Sequence, residues 1–292
     1  MGYRRLPLED GFVEYVVDGP DDARDLLILH VGTPSAAVNW AGLTRAAAAA
    51  GMRTASYSRA GYGASPRQPG RSVADEAAIT AALADRLGFD RFFTIGWSGG
   101  GPVALATAGL LGARVRACLA MASLAPPAES GTVWESWIPP EQRHEWEVLA
   151  SGDPTELIAD FRESVDIIGR MTPRRLTAIG GPPDARGLAL RIEVEVQSDL
   201  VRSMRRAVSR GYFGYLDDNL AQARDWGFRV ADIRVPVVVR HGDLDRLVNI
   251  GHGRWLTETI PGARGVFLPD AGHGSIVLPW NEVVGQLVEA GR

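Results

Sequence analysis

The chain has 292 residues, 46% of them hydrophobic and 23% charged, which excludes a disordered or collagen-like polymer and allows one large domain or two ordinary ones. Its 31 basic residues against 35 acidic ones leave a net charge of −4, the wrong sign for a nucleic-acid binder that works by counterion release. All the basic residues are arginine and lysine is absent, so P-loop, protein-kinase, pyridoxal and Schiff-base chemistries, which need a lysine amine, are excluded.

The single cysteine, Cys118, has no internal disulfide partner, and a reducing compartment is expected. Residues 1–12 carry Arg4 and Arg5 with no apolar stretch after them, and no uncharged apolar run approaches the ~20 residues of a membrane span. A cytoplasmic protein with no membrane association is expected.

In chain order, apolar β-branched runs at 12–17, 26–31, 52–57, 91–96, 117–122, 235–240 and 264–268 read as strands. The intervals 40–50, 72–87, 99–111, 250–260 and 281–290 read as helices, with Ser72 and Asp75 in a capping spacing. This alternation predicts an α/β protein with a mostly parallel central sheet and helices on both faces. The link between the first two runs is too short for a helix, so they are expected to form a hairpin. About 110 residues separate the strand at 117 from that at 235, too many for a structureless loop. They read as helices near 141–150, 154–169, 185–210 and 216–226, punctuated at Pro139-Pro140, Pro173 and 180–183. The expected division is a core of residues 1–125 and 232–292 with an inserted helical cap at 126–231.

The chemistry starts at Gly96-Trp97-Ser98-Gly99-Gly100, at the end of one strand and the start of an Ala- and Leu-rich helix. Gly-x-Ser-x-Gly in this context holds a serine in a strained turn with its hydroxyl exposed, the flanking glycines letting strand and helix approach. The Gly99 amide and the helix N-terminus after it are suited to stabilise negative charge on a substrate oxygen. A second amide for that charge is expected at Thr33, in the tight turn His30-Val31-Gly32-Thr33-Pro34.

A serine hydroxyl needs a base and an acid to orient that base. His273, in Gly272-His273-Gly274, and Asp245, in His241-Gly242-Asp243-Leu244-Asp245, follow later strands, in the order Ser, Asp, His. Asp243 and Asp270 remain alternative acids. The other histidines, His30, His144, His241 and His252, read as structural.

These residues resemble the α/β-hydrolase superfamily, and within it the capped bacterial serine hydrolases with a His-Gly-Thr-Pro-type oxyanion loop. The resemblance also rests on Arg59-Ala60-Gly61-Tyr62-Gly63-Ala64-Ser65, Asp225-Trp226-Gly227-Phe228, Ile233-Arg234-Val235-Pro236, His252-Gly253-x-Trp255-Leu256 and Gly272-His273. It implies Ser98, Asp245 and His273 as the catalytic residues, Thr33 and Gly99 as the oxyanion hole, and no cofactor or metal. Val31, Ser35 and Ser58 depart from the pattern, and only Ser35 bears on the chemistry, because its side chain stands where the loop usually has glycine. A serine rather than an aspartate at position 98 argues against epoxide hydrolases and haloalkane dehalogenases.

In the cap, Trp134, Trp137, Trp146 and Met171, with Ile167 and Ile168, are candidates for an apolar substrate pocket, against ordinary packing. Arg202, Arg205, Arg206 and Arg210 share one helical face, read as a solvated basic face, with an anionic-substrate clamp as the sharper alternative. The expected function is hydrolysis of a small ester, lactone, thioester or amide through an acyl-enzyme on Ser98. The alternative is a lyase, cyclase or C–C bond-cleaving enzyme on the same scaffold. The partner is a small-molecule substrate, with no nucleic acid or membrane, and a homodimer is left open.

Overall fold

A computed structural model describes residues 2–9, 11–138, 140–179 and 194–292. Among them, β1 (Arg4–Leu8), β2 (Gly11–Asp18), β3 (Asp25–His30), β4 (Met52–Tyr57), β5 (Phe92–Trp97), β6 (Val115–Met121), β7 (Val237–Gly242) and β8 (Arg264–Leu268) form one sheet. Its order is β1-β2-β4-β3-β5-β6-β7-β8, antiparallel at β1/β2 and β2/β4 and parallel from β4 onward. The central strand β5, Phe-Phe-Thr-Ile-Gly-Trp, is buried throughout, as a parallel strand covered on both faces requires.

The flanking helices are α1 (Ala41–Ala49), α2 (Asp75–Leu87) and α3 (Gly101–Leu111) before the cap. The cap contributes α4 (Pro127–Ser130), α5 (Thr132–Glu135), α6 (Arg143–Ser151), α7 (Ile158–Gly169), α8 (Pro173–Ile179), α9 (Val194–Ala207) and α10 (Phe213–Ala223). Two more, α11 (Ile250–Thr259) and α12 (Trp280–Ala290), close the chain. One apolar core packs α2, α3 and α11 on one face of the sheet through residues such as Leu83, Ala104, Leu105 and Leu256. A second packs α1 and α12 on the other through Leu43, Ala47, Val283 and Leu287. The helical cap is inserted between β6 and β7 and has a small apolar cluster of its own, Leu149, Leu157, Phe161, Leu216 and Ala223.

Two expectations, one about the strands and one about a helix start, are corrected. The hairpin is not formed by the runs at 12–17 and 26–31, because β4 lies between them, antiparallel to β2 (Val16 opposite Ser56) and parallel to β3 (Leu27 opposite Thr54). Instead β2 pairs back on β1, an edge strand that its composition hides: Arg4, Arg5 and Pro7 suit only an edge, and Leu6 alone turns fully inward. The Ser72–Asp75 pair is present with altered roles. The Asp75 carboxylate accepts from the Ser72 amide at 2.7 Å and from its hydroxyl at 3.0 Å, while the helix begins at Asp75.

In the cap, the expected segments 154–169 and 216–226 correspond to α7 and α10. The latter ends at Ala223, ahead of a turn in which the Gly227 amide donates to Asp225. Part of the helix expected over 185–210, the punctuation at 180–183 and Pro139 lie outside the described residues. No helix among the described residues is long and apolar enough to cross a membrane.

The register carries the function. His30 lies opposite Gly96, Gly96 opposite Ala120, Met121 opposite Arg240, and Gly242 opposite Leu268. The loops after β3, β5, β7 and β8 therefore leave the sheet at one edge, where open α/β sheets bind ligands.

Candidate active site

Ser98 follows β5 directly and holds a left-handed backbone, φ 57°, a strained conformation for a residue with a Cβ. The strain is compatible only with glycine neighbours. A Cβ on Gly96 would strike the Gly100 carbonyl, and one on Gly100 would strike the carbonyl of His30. Ser98 itself stays partly exposed.

Trp97, the residue before Ser98, ties this turn to the loop after β8. Its indole Nε1 donates to the His273 carbonyl at 3.1 Å, and the two rings lie 5.9 Å apart. His273 Nδ1 in turn lies 2.8 Å from Asp245 Oδ2. Asp245 is buried, and its Oδ1 accepts from the amides of Leu247 and Val248, each at 2.9 Å. Burial by itself would raise the Asp245 carboxyl, but His273, His241 and the Val248 amide outweigh it and hold the group well below the usual carboxylate range. An ionised carboxylate only accepts, so Nδ1 of His273 carries the proton and Nε2 is left as the basic nitrogen.

Asp243 is exposed in the turn after β7. Residues 243 and 244 belong to a turn, and the Asp245 amide donates back to Gly242, so residues 243 and 245 do not project in parallel as they would along an extended strand. His241 lies on the far side of Asp245. Its Nε2 is 2.9 Å from the Val248 carbonyl and 3.4 Å from Asp245 Oδ2.

The turn after β3 reaches the same place. Cβ atoms built on Gly32 and Gly99 would meet, respectively, the Ser98 side chain at 3.0 Å and the Thr33 hydroxyl, so Gly32, Thr33, Ser98 and Gly99 are immediate neighbours. Beneath them is a buried ionic cluster that the sequence did not announce. Arg59 donates to Asp218 and to the carbonyls of Val31 (2.7 Å) and Gly32 (3.0 Å). Arg71 joins Asp218 to Glu76, and Tyr62 donates to Asp218 at 2.9 Å. Burial works against the Asp218 carboxylate, but the two guanidiniums hold it well below the usual range; for Glu76 burial prevails and its carboxyl is raised. Arg59 belongs to the glycine-rich motif at 59–65, which was the one available signal. Both acids of the pair Asp217-Asp218 are buried, Asp217 on Arg67, and nothing local in the sequence marks either as buried.

Ser35, Ser58 and the cap candidates are also located. Ser35 is buried, and Ser58 accepts from the Ala37 amide and donates to Glu14. Trp134 is buried, with Nε1 on the Ala125 carbonyl, and packs edge-on against Trp146 at 4.9 Å. Trp137 is half-buried over His252 at 4.6 Å, Met171 and Ile168 are buried, and Ile167 is exposed. Of the arginine face, Arg205 is exposed and the other three are engaged. Arg202 binds Asp199 and the Asn39 carbonyl, Arg206 binds Glu14, and Arg210 reaches the Ala64 carbonyl. Arg202 and Arg206 hold α9 to the core, the first on a backbone carbonyl and the second on the buried Glu14 carboxylate. Among the described residues, no group of three His, Cys, Asp or Glu side chains is placed to hold a metal ion.

A sequence profile described as the alpha/beta hydrolase fold matches residues 25–142. No curated protein matches the chain. Among solved structures, a hydrolase from Pseudomonas aeruginosa PA01 is 22% identical with a TM-score of 0.68, covering 99% of this chain and 97% of that one. The enol-lactonase from Burkholderia xenovorans LB400 is 21% identical with a TM-score of 0.67, over 95% and 96%. A thermophilic esterase from Thermogutta terrifontis is 19% identical with a TM-score of 0.68, over the full length of both. Sheet order, the turn at Ser98, the inserted cap and these likenesses agree: the chain adopts the alpha/beta hydrolase fold with a helical cap.

Proposed function

We propose that the protein is a cofactor-free serine hydrolase that cleaves a small ester, lactone, thioester or amide through an acyl-enzyme on Ser98. The observation that carries this is the chain of contacts from Asp245 to His273 and, through Trp97, to the strained turn at Ser98. An esterase and an enol-lactonase among the similar structures accord with acyl transfer.

In this reading Ser98 Oγ attacks the substrate carbonyl while His273 Nε2 takes its proton. The developing oxyanion is held by the amides of Thr33 and Gly99, and Asp245 balances the imidazolium. Collapse expels the leaving group, which receives the proton from His273. Water then attacks the acyl-enzyme, with His273 acting again as base, and frees the acid product and Ser98. Trp134, Trp137, Trp146 and Met171 are proposed to shape the apolar side of the pocket, in a cap of residues 126–231.

The test is a turnover screen over acyl esters of increasing chain length, lactones and aminoacyl amides, with wild type beside Ser98→Ala, His273→Ala and the double variant. Each single variant is expected to lose turnover by several orders of magnitude and the double variant little more, since members of one nucleophilic unit are not additive. An acyl adduct on Ser98 by mass spectrometry supports the reading. Retained hydrolysis in Ser98→Ala refutes it, and turnover without an adduct turns it toward acid–base chemistry such as C–C bond cleavage.

A further inference from the structure

The turn that carries Thr33 is not held by the core alone. We infer that the cap positions the oxyanion turn, with Asp218 and Gln222 of α10 acting as positioning residues through the Thr33 hydroxyl. This rests on the reading of Ser98 as the nucleophile and of the Thr33 and Gly99 amides as its oxyanion donors.

A threonine hydroxyl has one proton and two lone pairs. The proton goes to Asp218 Oδ2 at 2.8 Å, since a carboxylate can only accept. The lone pairs face Gln222 Nε2 at 3.0 Å and Arg59 Nη2 at 3.3 Å. Every bonding capacity of the hydroxyl is used, so its rotamer is determined. The same assignment fixes the Gln222 amide with its nitrogen toward Thr33, because an oxygen there would face an oxygen that has already given its proton away.

The cap grips the turn at a second point. Ser203 of α9 donates to the Ala36 carbonyl at 2.6 Å and accepts from the Ala36 amide at 3.1 Å. From the core side, Arg59 binds the carbonyls of Val31 and Gly32 while also pairing with Asp218. Cap and core thus grip one turn, the core through the Val31 and Gly32 carbonyls and the cap through the Thr33 hydroxyl and the Ala36 backbone. The other donor is included, because a Cβ placed on Gly99 would meet both the Thr33 hydroxyl and, at 3.1 Å, Gln222 Nε2. Displacing α10 would release Thr33 and strip a buried carboxylate from two buried guanidiniums, which the interior resists. The cap is therefore part of the oxyanion apparatus as well as a cover for substrate.

The experiment follows labelling of Ser98 by a fluorophosphonate, in which the Ser98 Oγ–P bond forms, the P–F bond breaks, fluoride leaves and the hydroxyl proton passes to His273. The phosphoryl oxygen of this probe occupies the oxyanion hole, so its rate reads the hole without knowledge of the natural substrate. Thr33→Val and Gln222→Leu, neither of which adds or removes a charge, are each expected to slow labelling by ~10- to 100-fold, the penalty for a donor misplaced by about an ångström. Thr33→Ser keeps the hydroxyl and is expected to stay within about threefold of wild type. The pH midpoint of labelling is expected to stay constant in all three, as a hole defect predicts and a displaced His273 loop does not. Asp218→Asn should be slower still; if it does not fold, the Thr33 and Gln222 variants decide. Wild-type labelling rates in both folded Thr33→Val and Gln222→Leu overturn the inference. Absence of labelling at Ser98 in wild type overturns instead the serine reading on which it rests.

Discussion

Asp245 has every oxygen lone pair directed at a donor: two amides on Oδ1, and His273 with a longer approach from His241 on Oδ2. Replacing it by asparagine puts an amide where a proton acceptor stood and favours the wrong imidazole tautomer, so Asp245→Asn is expected to lower kcat on the order of 10⁴-fold. Asp243 is exposed and outside this set, and Asp243→Asn is expected to cost less than about tenfold. The measurement is kcat for both variants on one substrate after circular dichroism shows equal folding, and a larger loss at 243 than at 245 would overturn the assignment. This choice was only partly legible in the sequence. A family-like spacing favours Asp245, but along an extended segment residues 243 and 245 would point the same way, and only the turn at 243–244 separates them.

At the scale of the elements, the cap helices divide into two kinds. Helices α6 and α7, with part of α10, build the cap's own apolar cluster, while α9 and the inner face of α10 present polar groups to the core. Helices of both kinds are expected from the sequence near these positions, but neither the cap's own cluster nor the contacts of Asp199, Ser203 and Asp218 with the core are, because helical segments by themselves do not say what a helix covers. His144, exposed on α6 and paired with Glu156 at 3.0 Å, is expected to have no catalytic part, so His144→Ala should keep kcat within about twofold, as surface substitutions usually do. Trp137→Ala, by contrast, removes a half-buried ring packed on His252 and is expected to shift the preferred acyl chain length with a modest change in kcat on the best ester. The chain-length series of initial rates tests both, and a loss in His144→Ala comparable to that in His273→Ala would end this division of labour.

At the scale of the whole molecule, two buried histidines make stability depend on pH. Burial first, with Arg59 nearby, lowers the pKa of His30 to about 3, and burial with His241 lowers that of His252 to about 3. Both therefore stay neutral in the folded protein well below the point near 6.5 where an unfolded histidine takes its proton. The unfolded chain binds more protons in that window, so stability falls as pH drops from about 6.5 toward 3. At pH 5 each histidine accounts for about 2 kcal/mol of loss, and the pair is expected to lower Tm by about 8 °C relative to pH 7.5. Carboxyls that burial raises, Glu76 and Asp199 among them, act in the opposite sense. Calorimetry at pH 7.5 and 5.0 at constant ionic strength checks the net sign, and ring resonances of His30 and His252 that titrate near pH 6.5 in the folded protein would mean that these histidines are not held neutral.

What the sequence determined by itself is what short-range physics dictates. The central strands β4 to β7 are legible because a strand buried on both faces must be a short apolar run, and the turn at 96–100 because strain at Ser98 and the approach of Gly96 to Gly100 demand those residue types at that spacing. The cap is legible as a length that no loop fills. Tertiary structure alone decided the place of β4 between β2 and β3, and the partners of the buried charges. Thr33 meets Asp218 across 185 residues of sequence and Arg59 meets it across 159. A buried charge must find a counter-charge, but which one it finds depends on the chain's path through the fold. That path is selected by the packing of the whole core, and no local pattern around Asp218 records it.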